Sequence, residues 1–172
     1  VGICTYSEED YDCDGNCAED TVELFEECYP IETTTELDLQ GQELSGSIPA
    51  EIGNLTNLTT INLSYNSFSG PIPSEIGNIT NLVKLHLNNN QFSGYIPDAI
   101  CNIDVSFFNP HLFDISGNHL SPPYPDCVDG YVEYQYYEDC ESHYLFNGFC
   151  TEQSDLDVLQ EFIDNSLATI NM

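Results

Sequence analysis

LDLQGQELSGSIPAEIGNLTN (residues 37–57) is followed by INLSYNSFSGPIPSEIGNITN (61–81) and then by LHLNNNQFSGYIPDAICN (85–102). The period is 24 residues: Leu39, Leu63 and Leu87 correspond, as do Ile48, Ile72 and Ile96, and Pro49, Pro73 and Pro97. A damaged fourth copy, FDISGNHLSPPYP, starts at Phe113 after a four-residue insertion. Self-similarity at a fixed period in the twenties marks a solenoid, in which each unit touches only its neighbours.

The physics of one unit is legible in its residues. L-x-L alternation predicts a short strand with both leucines inward and the residues between them outward. Strands are expected near 37–39, 61–63, 85–87 and 113–115. Each leads to a polar ladder position, Gln42, Asn66, Asn90 or Asn118, where a buried amide can donate to one carbonyl and accept from another backbone group. Ser-Gly follows, where glycine permits a left-handed or otherwise tight backbone. The I-P pair then favours extended geometry, and E-I-G-N reads as a helical turn closed by Gly and Asn. One unit cannot bury its leucines alone, so the core exists only by stacking.

The S-G-x-I-P-x-x-I-G-N-L form resembles the plant-type leucine-rich repeat of polygalacturonase-inhibiting proteins, receptor-kinase ectodomains and some bacterial surface proteins. The resemblance implies an α/β solenoid, a short stack with parallel strands on its concave face. It also implies a binding scaffold, without naming what is bound. The expected organisation is an acidic Cys-rich N-terminal cap (1–36), the repeats (37–120), a Cys/Tyr-rich C-terminal cap (121–154) and an amphipathic helix (155–172). That last segment, with Leu156, Leu159, Phe162 and Ile163 on one face, either completes the cap or begins another domain.

Cysteine placement agrees with that plan. Cys4, Cys13, Cys17 and Cys28 precede the repeats, and Cys101, Cys127, Cys140 and Cys150 follow them. An even count confined to the two ends of a solenoid reads as disulfide-stapled caps in an oxidising, extracellular compartment. Zinc is the alternative, but neither set has the paired short spacings and histidines of a finger. Pairing is expected within each cap, with Cys101–Cys127 closing the last repeat and Cys140–Cys150 pinning the tyrosine-rich loop. The chain starts at Val1 without an initiator Met or apolar leader, so a removed signal sequence or a longer parent protein is expected.

Thirty acidic residues face one lysine and no arginine, a formal charge of −29. Nucleic acid and anionic membrane surfaces are excluded as partners by repulsion. No apolar run approaches the length of a membrane span. The charge reads either as adaptation to salty water or as reliance on a bound cation. Asp10, Asp12 and Asp14, with the Asn16 carbonyl, match the first half of an EF-hand-type calcium loop, and Gly15 supplies the bend. The twelfth position is Thr21 rather than a bidentate Glu, so an acidic, disulfide-pinned turn without metal is the competing reading. Thr21 to Cys28 carries Val22, Phe25 and Leu24 at helical spacing, a lid for the first repeat.

Strand parity gives the outward columns of the concave face. One holds Glu36, Thr60, Lys84 and Leu112; the next Asp38, Asn62, His86 and Asp114; the third Gln40, Ser64, Asn88 and Ser116. Solenoids commonly bind ligands there, although Lys84 can equally be a solvated cation relieving local repulsion. Four N-x-[ST] sequons, at Asn54, Asn57, Asn62 and Asn78, would suit N-glycans in a eukaryotic secretory protein. Asn54 and Asn78 also belong to the repeat consensus. Tyr131, Tyr134, Tyr136, Tyr137 and Tyr144 crowd one acidic segment that either covers the last repeat or meets another molecule.

No catalytic constellation emerges: His86, His111, His119 and His143 are scattered, and no serine sits in a nucleophile elbow. A non-enzymatic module recognising a protein or glycan is the leading expectation, with no cofactor required beyond the calcium raised above. The alternatives are a structural subunit whose copies join through their caps into a layer or fibre, and an inhibitor of a secreted hydrolase. The calcium reading has a direct test. Calcium is expected to raise the melting temperature with the logarithm of its concentration above the dissociation constant, and Asp12→Ala to abolish that response; a variant that keeps the full response removes these aspartates as the site.

Overall fold

The computed structural model describes residues 17–132 and 135, with the backbone alone of 144–146 and 149–151. Contacts divide the chain into two compact units, residues 1–135 and 136–172. Asp10 to Asn16, the first two cysteines, Cys140 and the segment 155–172 lie outside the described residues.

The described part of the first unit opens with a hairpin of β1 (Thr21–Leu24) and β2 (Glu27–Pro30), bridged by Cys17–Cys28 at a Cα separation of 5.5 Å. The helical spacing expected at 21–28 gives way to strands. Val22 and Leu24 are both buried, and residues two apart share a face on a strand but not on a helix. Phe25 and Glu26 form the two-residue turn with φ of 55° and 69°, the left-handed backbone that short hairpins require. The hairpin still acts as a lid: Phe25 lies 4.9 Å from the Phe68 ring.

Four turns follow. The first comprises β3 (Glu36–Asp38), β4 (Ser45–Gly46) and a 3-10 turn, η1 (Ala50–Asn54). The second repeats it as β5 (Thr60–Asn62), β6 (Ser67–Gly70) and η2 (Ser74–Asn78). The third has β7 (Lys84–His86), β8 (Gln91–Tyr95) and η3 (Asp98–Asn102), and the fourth β9 (Phe113–Asp114) and β10 (His119–Ser121). Strands β3-β5-β7-β9 form one parallel sheet and β4-β6-β8-β10 a second. The second sheet is absent from the sequence reading, which took Ser-Gly only as a tight bend. Both hold: Gly46, Gly70 and Gly94 have φ of 96°, 76° and 82° inside these strands. Between the sheets and the 3-10 turns lie the leucines, isoleucines and the stacked Phe68 and Phe92, their ring centroids 6.1 Å apart.

The 3-10 turns explain a glycine read only as a terminator. Successive turns approach so closely that a Cβ on Gly53 would stand 2.5 Å from the Glu75 carbonyl oxygen, and one on Gly77 would strike the Ala99 carbonyl in the same way. In the third turn this position is Cys101, bonded to Cys127 at a Cα separation of 5.7 Å, the expected pairing. With the four-residue insertion counted, Cys127 stands where Glu75 and Ala99 stand in earlier turns.

The fourth turn therefore runs beyond residue 120, the end expected for the repeats. Pro125 occupies the register of Pro97, and its carbonyl accepts from the Val128 N–H at 2.9 Å, as the Pro97 carbonyl does from Ile100 at 3.0 Å. Proline at this position opens a hydrogen-bonded turn rather than ending the stack.

The ladder is built as expected, with one displacement at each end. Asn66 Nδ2 donates to the Leu39 and Leu63 carbonyls (2.8 and 3.0 Å), while its Oδ1 accepts from the Gln42 and Leu44 N–H groups at 3.0 Å. Asn90 and Asn118 repeat the pattern, with Oδ1 accepting from Phe68 and Phe92 respectively. Gln42 is exposed and joins through its backbone N–H. At the far end, Gln135 takes the next place: Nε2 donates to Ile115 (3.0 Å), Oε1 accepts from Leu120 (3.1 Å), and the residue is 3 % exposed. Its offset from Asn118 breaks the 24-residue period, so periodicity cannot find it. In the second unit, the described residues form an antiparallel hairpin of β11 (Tyr144–Phe146) and β12 (Phe149–Thr151).

Removing a ladder amide leaves buried backbone groups without partners, at about 1–3 kcal/mol each. Asn90→Ala is accordingly expected to lower the unfolding free energy by about 2–4 kcal/mol, and Gln135→Ala to fall in the same class. Gln42→Ala should stay within about 0.5 kcal/mol of the parent. Urea denaturation of the three variants checks this; Gln135 behaving like Gln42 would remove it from the ladder.

Candidate binding face

The outward face of the first sheet collects the candidate ligand-contacting residues in ordered columns. Glu36, Thr60 and Lys84 are cross-strand partners, and so are Asp38, Asn62, His86 and Asp114. The third column continues on backbone bonds: the N–H groups of Gly41, Tyr65 and Asn89 donate to the carbonyls of Ser64, Asn88 and Ser116. Burial separates these residues. Glu36 and Asp38 are exposed, Thr60, Lys84, His86 and Asp114 half-buried, and Asn62 and Asn88 buried.

Asn62 is the hub. Its Nδ2 donates to Asp38 Oδ1 at 3.0 Å and to Gln40 Oε1 at 3.2 Å, and its Oδ1 accepts from Ser64 Oγ at 2.7 Å. Asp114 repeats part of this arrangement two turns on, with Oδ1 accepting from the Ser116 N–H at 3.0 Å and Oγ at 2.7 Å. The shared N/D-x-S pattern explains both: a short side chain can bond two residues ahead. The face is thereby ordered before any ligand arrives. Charge alternates along it, acidic at Glu36 and Asp38, cationic at Lys84, and acidic again at Asp114.

Among the sequons, Asn62 is buried and its amide nitrogen already bonds two neighbours. Asn57 is exposed, yet its Nδ2 donates to the Glu32 carbonyl at 3.0 Å and ties the connection after the hairpin to the first turn. Asn54 and Asn78 are exposed. The calcium-loop residues Asp10, Asp12, Asp14 and Asn16 lie outside the described residues, as do Tyr134, Tyr136, Tyr137 and the side chain of Tyr144. Tyr131 is described and is 47 % exposed.

His86 is the one titratable group here that the surroundings clearly perturb. Burial of the imidazole lowers its pKa below the ordinary 6.5, and repulsion from Lys84 lowers it further. Asp114, a hydrogen bond with the His111 backbone and Asp38 pull the other way without prevailing. Its Nε2 is buried and has no hydrogen-bond partner among the described residues.

A pocket of about 90 Å³ opens beside Asp114, walled by Phe107, Phe108, Phe113, Gly130 and Tyr131. The apolar segment VSFFNPH (residues 105–111), which contains the extra length before the fourth turn, carries the signal: Phe107 anchors it edge-on against Phe113, centroids 5.0 Å apart, while Phe108 remains 73 % exposed.

The Leucine Rich Repeat family model matches residues 33–55, 57–79 and 81–103, the turns just described. The solenoid is a leucine-rich-repeat stack. Two solved structures from Arabidopsis share it. The BIR3–SERK2 complex is 33% identical with a TM-score of 0.51, over 59% of this chain and 53% of that one. The receptor kinase HAESA, in complex with the peptide hormone IDA and the co-receptor SERK1, is 32% identical with a TM-score of 0.52, over 69% of this chain and 19% of that one. The leucine-rich-repeat stack therefore spans about half of the first relative's chain and about a fifth of the second's. No curated protein matches it.

The His86 shift makes a signed prediction for the stack. Between the lowered folded pKa and 6.5 the unfolded chain binds more protons, so this residue's contribution to stability is present above pH 6.5 and is lost as pH falls through the folded value. The stability difference between the parent and His86→Asn should shrink in that direction, measured by urea titration from about pH 8 to about pH 5. Comparing two chains cancels the shared carboxylates; a difference that grows on acidification would mean that the acidic neighbours outweigh burial.

Proposed function

We propose that this chain is a non-catalytic extracellular recognition module that binds a protein ligand across the outward face of its first sheet. The Asn62 network carries the reading. Asp38, Gln40, Asn62 and Ser64 are held by one another across two turns, so contact with a ligand costs little side-chain ordering. Outside the network, Lys84 and Asp114 supply opposite charges at fixed strand positions, which favours a partner of defined charge pattern. The solved relatives supply analogy: HAESA was captured with a peptide hormone and a co-receptor. The bridges Cys17–Cys28 and Cys101–Cys127 suit an oxidising compartment outside the cell.

Selection of a random peptide library displayed on phage against the full chain tests this. Selected peptides should lose at least about tenfold in affinity for a Lys84→Glu, His86→Ala variant, a change of about 1.4 kcal/mol. They should be unaffected by Glu51→Gln with Asp98→Asn, exposed residues of the 3-10 turns. Peptides indifferent to the first pair and sensitive to the second would move recognition to the other side of the stack.

A further inference from the structure

We infer that the pocket beside Asp114 is an anchor site for a single arginine side chain of the protein ligand. The inference rests on the recognition reading above and adds the chemical class of the anchoring group. At about 90 Å³ the pocket holds several waters' worth of space. Whole small-molecule sites run to about 300–1,000 Å³, so this one fits a side-chain head group and little more.

Its walls define the group. Phe107, Phe108, Phe113 and Tyr131 line it, and Phe108 and Tyr131 are 73 % and 47 % exposed, so aromatic rings are at hand for a flat cation to stack on. Asp114 supplies the charge. The Ser116 bonds both fall on Oδ1, and Oδ2 has no donor among the described residues. An apolar side chain would leave that carboxylate desolvated and unpaired, an unfavourable arrangement. A guanidinium stacks on the rings and bonds the carboxylate at once, whereas an ammonium is more strongly hydrated and has no planar face to stack.

Charge also argues against a second copy as occupant. Each chain carries −29 and no arginine, and its single lysine, Lys84, is half-buried on the strand that neighbours Asp114. A cationic partner is drawn to such a surface by its field. Asp114 lies in the same column as Asp38 and His86, so an extended ligand crossing the sheet ends at the pocket.

The test uses the full chain and three capped tripeptides with a central arginine, lysine or citrulline, titrated by amide NMR. The arginine peptide should shift residues 113–115 and 130–131 first and bind at least about threefold tighter than the lysine peptide, whose charge is equal; the neutral citrulline peptide should not bind. Asp114→Asn should weaken the arginine peptide by about tenfold or more, the range of a charged hydrogen bond, and Phe108→Ala by a smaller factor. Asp114→Asn should fold, because Asn62 makes the same bonds to Ser64 from the same column. Equal arginine and lysine binding, or shifts spread over the acidic surface and untouched by Asp114→Asn, would reduce the effect to bulk charge and overturn the site. Tighter binding of chitotriose there, or sedimentation as a dimer that Phe108→Ala dissolves, would replace it with a sugar or a second copy. If phage-selected peptides depend on Lys84 and His86 but not on Asp114, the recognition face stands and the arginine anchor falls.

Discussion

The inner turns of this solenoid bend away from their first strands at points where the chain is largely buried, and the peptide groups there need partners. Asn66, Asn90 and Asn118 supply them. Each amide donates to carbonyls of its own turn and of the preceding one, and its oxygen accepts from the preceding turn's N–H groups. Stacking geometry and polar satisfaction are thus one constraint, and the leucine core depends on it. The two ends show what the constraint demands. Before the first turn no earlier bend needs support, and the Gln42 side chain lies in solvent. After the fourth, Gln135 enters from outside the repeat register to bond the backbone at Ile115 and Leu120.

The period carried most of the architecture because the same residue types recur wherever the same backbone recurs. Leucine parity located the first sheet within a residue, and the outward columns followed from it. Where periodicity failed, a local rule or a non-periodic contact had taken over. Val22 and Leu24 pack by strand alternation, a short-range signal hidden by Phe25 standing at helical distance. The second sheet escaped because its residues are Ser and Gly, which carry no hydrophobic alternation to read. Gln135 and the pocket lie at the C-terminal end of the stack, where no repeat remains to compare with.

On the binding face, sequence parity named the columns but not their internal order. Nothing in the spelling of Asn62 distinguishes a free amide from one held by Asp38, Gln40 and Ser64. Burial and these bonds are properties of the folded chain that no sequon or strand parity spells out. His86 shows the same gap: its altered titration comes from the depth at which β7 sets it, between Lys84 one way along the strand and Asp114 on the next.

The Cys101–Cys127 bond also bears on copy number. Inside the stack, Gly53 and Gly77 make each turn interchangeable with the next, since neither presents an atom that obstructs its successor. At Cys101 the obstructing side chain is present, and it is accommodated by bonding to Cys127, the residue standing where the collision would occur. Those two turns are consequently a matched pair that admits nothing between them. A duplicated 24-residue segment can enter upstream, at the glycine junctions, but not across this one. Repeat number is thus least constrained where glycine meets the next turn and fixed where the disulfide joins two of them.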